Sequence, residues 1–101
     1  MRLTPGFGGV CRACDLSGRE LRGARISGGV FSKTDFSRSF MSRADVSGSV
    51  FEDAKFSRTD LSYATLCDSK FGGAQFDGAN LSHSDASRAE LDGADFTSAE
   101  L

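Results

Sequence analysis

The sequence predicts an all-β solenoid, a quadrilateral parallel β-helix with four five-residue units in each coil. The first observation is an apolar residue at every fifth position from Leu16 to Leu101, eighteen in unbroken succession. The second is a small residue two positions before each of these, from Cys14 to Ala99, interrupted only by Arg19. The third is a recurrence of side-chain size every twenty residues. Phe stands at 36, 56, 76 and 96, Phe again at 31, 51 and 71, and Leu or Met at 21, 41, 61, 81 and 101.

A period of five matches neither an α-helix nor a β-strand, so the chain must turn a corner in every unit. Two residues of each unit, the small and the large, then face one interior, and three face out. The small residue is small because opposite walls crowd it, and the large one fills the axis. The twenty-residue recurrence means four units per coil, with like rings stacked into ladders. The expected core is Leu16, Leu21, Phe31, Phe36, Phe51, Phe56, Leu61, Phe71, Phe76, Leu81, Leu91 and Phe96. Residues 11–101 then wind about 4.5 coils, a rod of roughly 22 Å at the parallel-strand spacing. Gly at 18, 23, 28, 48, 73, 78 and 93 falls at one register position and marks corners, not phosphate-binding loops. Residues 1–10 stand apart as a lead-in or cap, rich in turn formers (Pro5, Gly6, Gly8, Gly9), with Phe7 able to plug the first coil.

Composition removes several function classes. A length of 101 residues fits one domain, and a net charge of −2 is too small to mark nucleic acid or an anionic membrane as the general partner. No apolar run approaches a membrane span, and the first ten residues lack a secretory hydrophobic stretch. Three cysteines, an odd number, argue against a disulfide framework and for a reducing, cytoplasmic setting.

Runs such as Ala44-Asp45-Val46-Ser47-Gly48, Thr59-Asp60-Leu61-Ser62-Tyr63, Ala79-Asn80-Leu81-Ser82-His83 and Ala94-Asp95-Phe96-Thr97-Ser98 resemble the A-(D/N)-L-x-x unit of pentapeptide-repeat proteins. The resemblance runs through residues 11–101 and implies a right-handed winding of the helix. It also implies a non-enzymatic protein, because members of the family bind other proteins. Some are DNA mimics that bind a type II topoisomerase, DNA gyrase or topoisomerase IV, and modulate quinolone sensitivity. Members of the quinolone-resistance group dimerise through their C-terminal ends, usually by an extra segment that this sequence lacks.

The residues themselves offer little catalytic chemistry. Cys11-Arg12-Ala13-Cys14 spells C-x-x-C, but in register both cysteines face inward and read as small buried residues, with no second pair for zinc. Cys67 reads as an exposed thiol. His83, the one histidine, points outward beside Tyr63, one coil away. No cofactor, metal or catalytic residue is expected. Ser after the large residue forms rows, Ser17, Ser37, Ser57 and Ser42, Ser62, Ser82, whose plain reading is hydrogen bonding within each turn.

The surface carries the remaining signals. Residues 1–50 hold eight basic and four acidic side chains, whereas residues 51–101 hold four and ten, so the rod is an axial charge dipole. Arg38, Arg43 and Arg58 project near one corner. Val30, Phe40 and Val50 occupy a register position usually held by Asp or Asn, and with Glu52, Asp53, Glu90, Asp92 and Asp95 they form the candidate partner surface. The sequence stops at Leu101 in mid-coil. Either the molecule pairs end to end as a homodimer through Phe96 and Leu101, or the sequence is part of a longer chain. The leading expectation is a protein-binding scaffold, with topoisomerase mimicry as the alternative and with neither direct nucleic-acid nor membrane contact.

Overall fold

One left-handed residue in every five bends this chain into its coils. The computed structural model describes residues 10–101. Position 3 of every decade and position 8 of every decade, from Ala13 to Ser98, has φ between 56° and 73°. The residue before it is not left-handed, and at most corners the N–H after it closes back on the carbonyl three residues earlier, as in Ala44 N–H to Met41 O at 3.1 Å. That sign pattern is the one a type II turn requires. Seven of these corners are Gly and eleven are not, among them Arg38, Arg58, Tyr63 and His83. An L-residue there costs roughly 1–2 kcal/mol locally, which the surrounding ladder must offset.

Between corners the chain runs straight for three residues, and the middle one pairs with the residue twenty positions on. Fifteen such single-residue bridges link the described coils, all parallel and all separated by twenty. They define four walls. Wall 1 carries Val10, Val30, Val50, Lys70 and Glu90; wall 2 carries Asp15, Asp35, Lys55, Gln75 and Asp95. Wall 3 carries Glu20, Phe40, Asp60, Asn80 and Glu100; wall 4 carries Arg25, Asp45, Thr65 and Asp85. Backbone N–H groups reach across coils at 2.7–3.1 Å, for example Phe56 to Gln75 O at 2.7 Å and Asp60 to Ser39 O at 3.0 Å. The body measures 30 × 24 × 22 Å, squat rather than long.

Inside, the phenylalanines form two interlocked ladders. Phe36, Phe56, Phe76 and Phe96 stack at 4.9–5.1 Å between centroids. Phe31, Phe51 and Phe71 stack at 5.0–5.3 Å. Rings of one ladder meet those of the other edge to face at 5.3–5.8 Å, so both preferred aromatic geometries are used at once. The small inward column is partly polar, and its buried hydroxyls are all hydrogen-bonded. Ser39, Thr59 and Ser69 donate to Leu16 O, Phe36 O and Val46 O at 2.7–2.8 Å, Ser49 donates to Ile26 O at 3.0 Å, and Thr34 donates to Cys11 O. Each bond spans twenty-three residues and ties one coil to the preceding turn. A buried hydroxyl left without such a partner would cost about 1–3 kcal/mol.

Three expectations change at this level. Leu21 is only partly buried, and Phe96 likewise. Leu91 is 37% exposed and leaves the expected core, because no coil lies over it on the C-terminal side. Arg19, the break in the small column, is exposed rather than folded into the shaft, and its backbone N–H donates to Ser39 Oγ at 3.2 Å. Cys11 and Cys14 are not two separate thiols but a disulfide. Their register positions flank a single corner, which brings the two Cα atoms to 5.6 Å, within bridging reach. The lead-in expected over residues 1–10 lies outside the described residues except for Val10, which already bridges to Val30.

Phe56, stacked on both sides and fully buried, is the core position with most to lose. Phe56→Ala should cost about 3–5 kcal/mol in urea unfolding followed by circular dichroism. Gly28, at φ 73° with open space beside its missing Cβ, isolates the backbone contribution. Gly28→Val should destabilise by roughly 1–2 kcal/mol from dihedral strain alone.

Candidate interaction surfaces

The outward residue of each wall and the corner that follows it act as one unit. Where Asp or Asn stands on the wall, its carboxylate or amide oxygen accepts the backbone N–H two residues on. Asp60 Oδ1 accepts Ser62 N–H at 3.0 Å and the Ser62 hydroxyl at 2.7 Å. Asp45 with Ser47, Asp85 with Ser87 and Asp95 with Thr97 repeat it, and Asn80 holds Ser82 in the same way. The serine rows are therefore turn-fixing elements, since these side chains bond the backbone of their own corner. Val30, Val50 and Phe40 lack that capacity, which leaves their side chains without a structural task at the turn.

The eight residues singled out as a partner surface do not form one patch. Val30 and Val50 bridge each other on wall 1, extended by Val10, a neighbour the periodicity from Leu16 onward did not include. Glu52 and Asp53 occupy the corner that ends wall 1, Asp92 lies two coils further on that corner, and Glu90 ends the wall's ladder. Asp95 lies on wall 2, around the corner. Phe40, 44% exposed, stands apart on wall 3. The three arginines also divide differently from the expectation: Arg38 and Arg58 share the corner before wall 3, whereas Arg43 is on the corner after it.

That second corner carries a stack. The Arg43 guanidinium lies 4.9 Å from the Tyr63 ring centroid, and Tyr63 stacks on His83 at 4.7 Å, so the outward placement of the two rings side by side holds. On wall 3, Arg22 sits 4.8 Å over the Phe40 ring while paired with Glu20 at 2.5 Å. At the C-terminal end, Leu66, Phe76, Leu81, Leu91, Phe96 and Leu101 line an apolar hollow of about 200 Å³, and Leu101 is 82% exposed. Phe96 and Leu101 thus meet at one open end. Among the described residues no group of His, Cys, Asp and Glu is placed to hold a metal ion, and no helix is long and apolar enough to cross a membrane.

The family model described as pentapeptide repeats matches residues 41–73 and 74–101, with eight copies. The chain belongs to this family. Among solved structures, the pentapeptide-repeat chain is similar to HetL, a protein involved in heterocyst differentiation regulation in the cyanobacterium Nostoc, with 25% identity and a TM-score of 0.69. The match covers 98% of this chain but 44% of HetL, so the chain spans under half of that protein's length. It is also similar to Rfr23 from the cyanobacterium Cyanothece (14% identity, TM-score 0.58, covering 85% of this chain and 86% of that one). A third likeness is to trypsin-treated QnrB1, a plasmid-mediated fluoroquinolone resistance protein (17% identity, TM-score 0.53, covering 100% and 74%). These neighbours are pentapeptide-repeat β-helix proteins, and they support the repeat solenoid. No curated protein sequence matches significantly.

The pentapeptide register also sets the titration behaviour of its surface. Asp15, Asp85 and Asp95 are held below the usual carboxylate range, first by the hydroxyls of Ser17, Ser87 and Thr97 and then by the matching backbone N–H groups. Asp68 is lowered chiefly by its hydrogen bond from Arg88, Nε to Oδ1 at 2.7 Å. Cys67, expected as an exposed thiol, is half-buried; its pKa is raised, first by desolvation and then by its bond to, and the charge of, Asp85.

Carboxylates with depressed folded pKa values stabilise the fold above the unfolded carboxylate pKa, about 4, and lose that contribution as pH falls through the folded values. The thermal midpoint should stay level from about pH 7 to 5 and fall below about pH 4. Ser87→Ala should move the Asp85 pKa back up, read by NMR titration of the side-chain carboxyl carbon.

Proposed function

We propose that this pentapeptide-repeat protein is a non-enzymatic binding scaffold that presents flat walls and corners to a protein partner, wound right-handed as the family resemblance implies. The observation that carries this reading is the unbroken register. From Val10 to Glu100 every described pentapeptide is committed to a bridge and a corner, with no insertion from which a lidded cleft would be built. What varies from unit to unit is only the outward side chain, and a surface that varies on a rigid frame suits recognition.

Self-association belongs to the same proposal. The apolar hollow around Phe96 and Leu101 is supported as a contact end by its apolar lining and by the exposure of Leu101. A second copy meeting it end to end would cover both.

A second reading, mimicry of duplex DNA toward a type II topoisomerase, is favoured by one observation. Residues 51–101 carry ten acidic against four basic side chains. At about 4.8 Å per coil that half is roughly 12 Å long, so its excess negative charge recurs about every 2 Å, close to the roughly 1.7 Å of duplex DNA. Lys55 interrupts the carboxylates of wall 2 and Lys70 adjoins Glu90 on wall 1, and for that reason the scaffold reading is preferred.

Light scattering across a concentration series should show dimer mass at high concentration, and Leu101→Glu should return the monomer. A monomer at every concentration would remove the end-to-end contact. A gyrase supercoiling assay should show no effect of the protein; inhibition or quinolone protection, lost on charge reversal of Asp53, Asp92 and Asp95, would instead establish the mimicry.

A further inference from the structure

The geometry points to wall 3 and its two flanking corners as a docking surface for an acidic protein segment carrying an apolar anchor. This rests on the scaffold reading and supplies the partner's chemistry. At its centre is Phe40, 44% exposed on a ladder whose next rungs are Asp60 and Asn80. Those two rungs fix their corners through Ser62 and Ser82, and Phe40 is followed by Ser42, so Asn at position 40 would serve the fold at least as well. A large ring where the repeat favours a small hydrogen-bonding residue, covered by Arg22 on one face and 44% exposed, is available to a partner outside the chain.

Around Phe40 stand Arg38 and Arg58 on one corner and Arg43 on the other. Among the described residues none of the three forms an ion pair. Arg38 and Arg58 occupy equivalent positions one coil apart, about 4.8 Å in backbone spacing, so their like charges repel until an anion comes between them. The Arg58 stem lies along the surface toward Gly78, where a Cβ would come within 3.2 Å of Arg58 Cγ, so the absence of a side chain there leaves it room. The carboxylates nearest to this surface are already engaged elsewhere: Glu20 pairs with Arg22, Asp60 accepts the Ser62 N–H and hydroxyl, and Asp77 accepts the Ser57 hydroxyl. The surface therefore offers unneutralised guanidinium donors around an aromatic centre, and arginine with aromatic residues is the composition that dominates binding energy at protein interfaces.

Carboxylates fit better here than nucleic acid. Tyr63 has Arg43 over one face and His83 over the other, and Phe40 has Arg22 over one face. Ring faces committed to internal stacking are not available as base platforms, whereas a guanidinium held over a ring keeps its in-plane N–H donors for bidentate carboxylate binding.

The test is binding of the fluorescein-labelled random glutamate–tyrosine copolymer by anisotropy, with oligothymidylate as competitor. The full chain should bind the copolymer, more weakly as salt rises. Phe40→Asn should keep or raise the thermal midpoint yet weaken binding roughly ten- to thirtyfold, and Arg58→Glu should do likewise. Gln75→Ala, on wall 2, should leave affinity unchanged. Equal binding by Phe40→Asn, tighter capture of oligothymidylate, or no copolymer binding would each overturn the assignment. The scaffold reading answers separately to the supercoiling assay, whose charge reversals at Asp53, Asp92 and Asp95 involve none of these residues.

Discussion

The left-handed corner in every fifth residue is the constraint on which this molecule depends. It sets the straight segments at three residues, so a single outward side chain lies between two inward ones. Because a corner recurs without exception from Ala13 to Ser98, the coil is always twenty residues, and the backbone bonds between coils recur at fixed offsets of nineteen and twenty-one residues. The aromatic ladders follow from that offset rather than cause it. A ring at position 56 meets rings at 36 and 76 because the backbone has already placed them one spacing apart. The strain of non-glycine residues at eleven corners is tolerable only because bridges on both sides hold each corner in place.

The small inward column shows how a narrow shaft accommodates polar atoms. Ser39, Ser49, Thr59 and Ser69 lie within the core, yet each spans to the carbonyl at the start of the preceding coil's turn. At some units the hydroxyl also takes over a backbone donor, as where Gly29 N–H and Ser49 N–H bond Ser49 Oγ and Ser69 Oγ. Elsewhere the N–H of the small residue closes the turn, as in Ala54 to Phe51 O and Thr59 to Phe56 O. Both solutions leave no buried side-chain polar atom unsatisfied among the described residues. The column therefore alternates between alanine and hydroxyl residues with little consequence for the coil.

Much of this was legible in the sequence, because inward positions are set by volume and volume is readable. The five- and twenty-residue periods, the inward pair and the glycine corners all follow from residue size. What escaped was anything decided by neighbours across a corner. Cys11 and Cys14 were placed inward correctly, but the closeness of positions flanking one turn, which joins them, is a distance and not a period. Arg38 and Arg43 look adjacent at five residues apart, yet five residues carry the chain past a whole wall. The partner surface scattered for the same reason: Val50, Glu52 and Asp53 are near in sequence and in space, whereas Phe40 required the wall assignment. Cys67 was misread because its exposure depends on the coil that follows it.

The twenty-residue offset has a consequence for how such a chain can change in length. Insertion of one residue would throw every later inward side chain outward and leave the corners misplaced. Insertion or deletion of five would preserve the inward pattern but rotate everything downstream by a quarter turn. Phe56 would then face the aliphatic column of Met41, and the rungs of wall 2 would join wall 3. Only a change of twenty keeps each ladder intact and simply lengthens or shortens the stack. Length variation is thus quantised, and the identity of a wall is preserved only in whole coils.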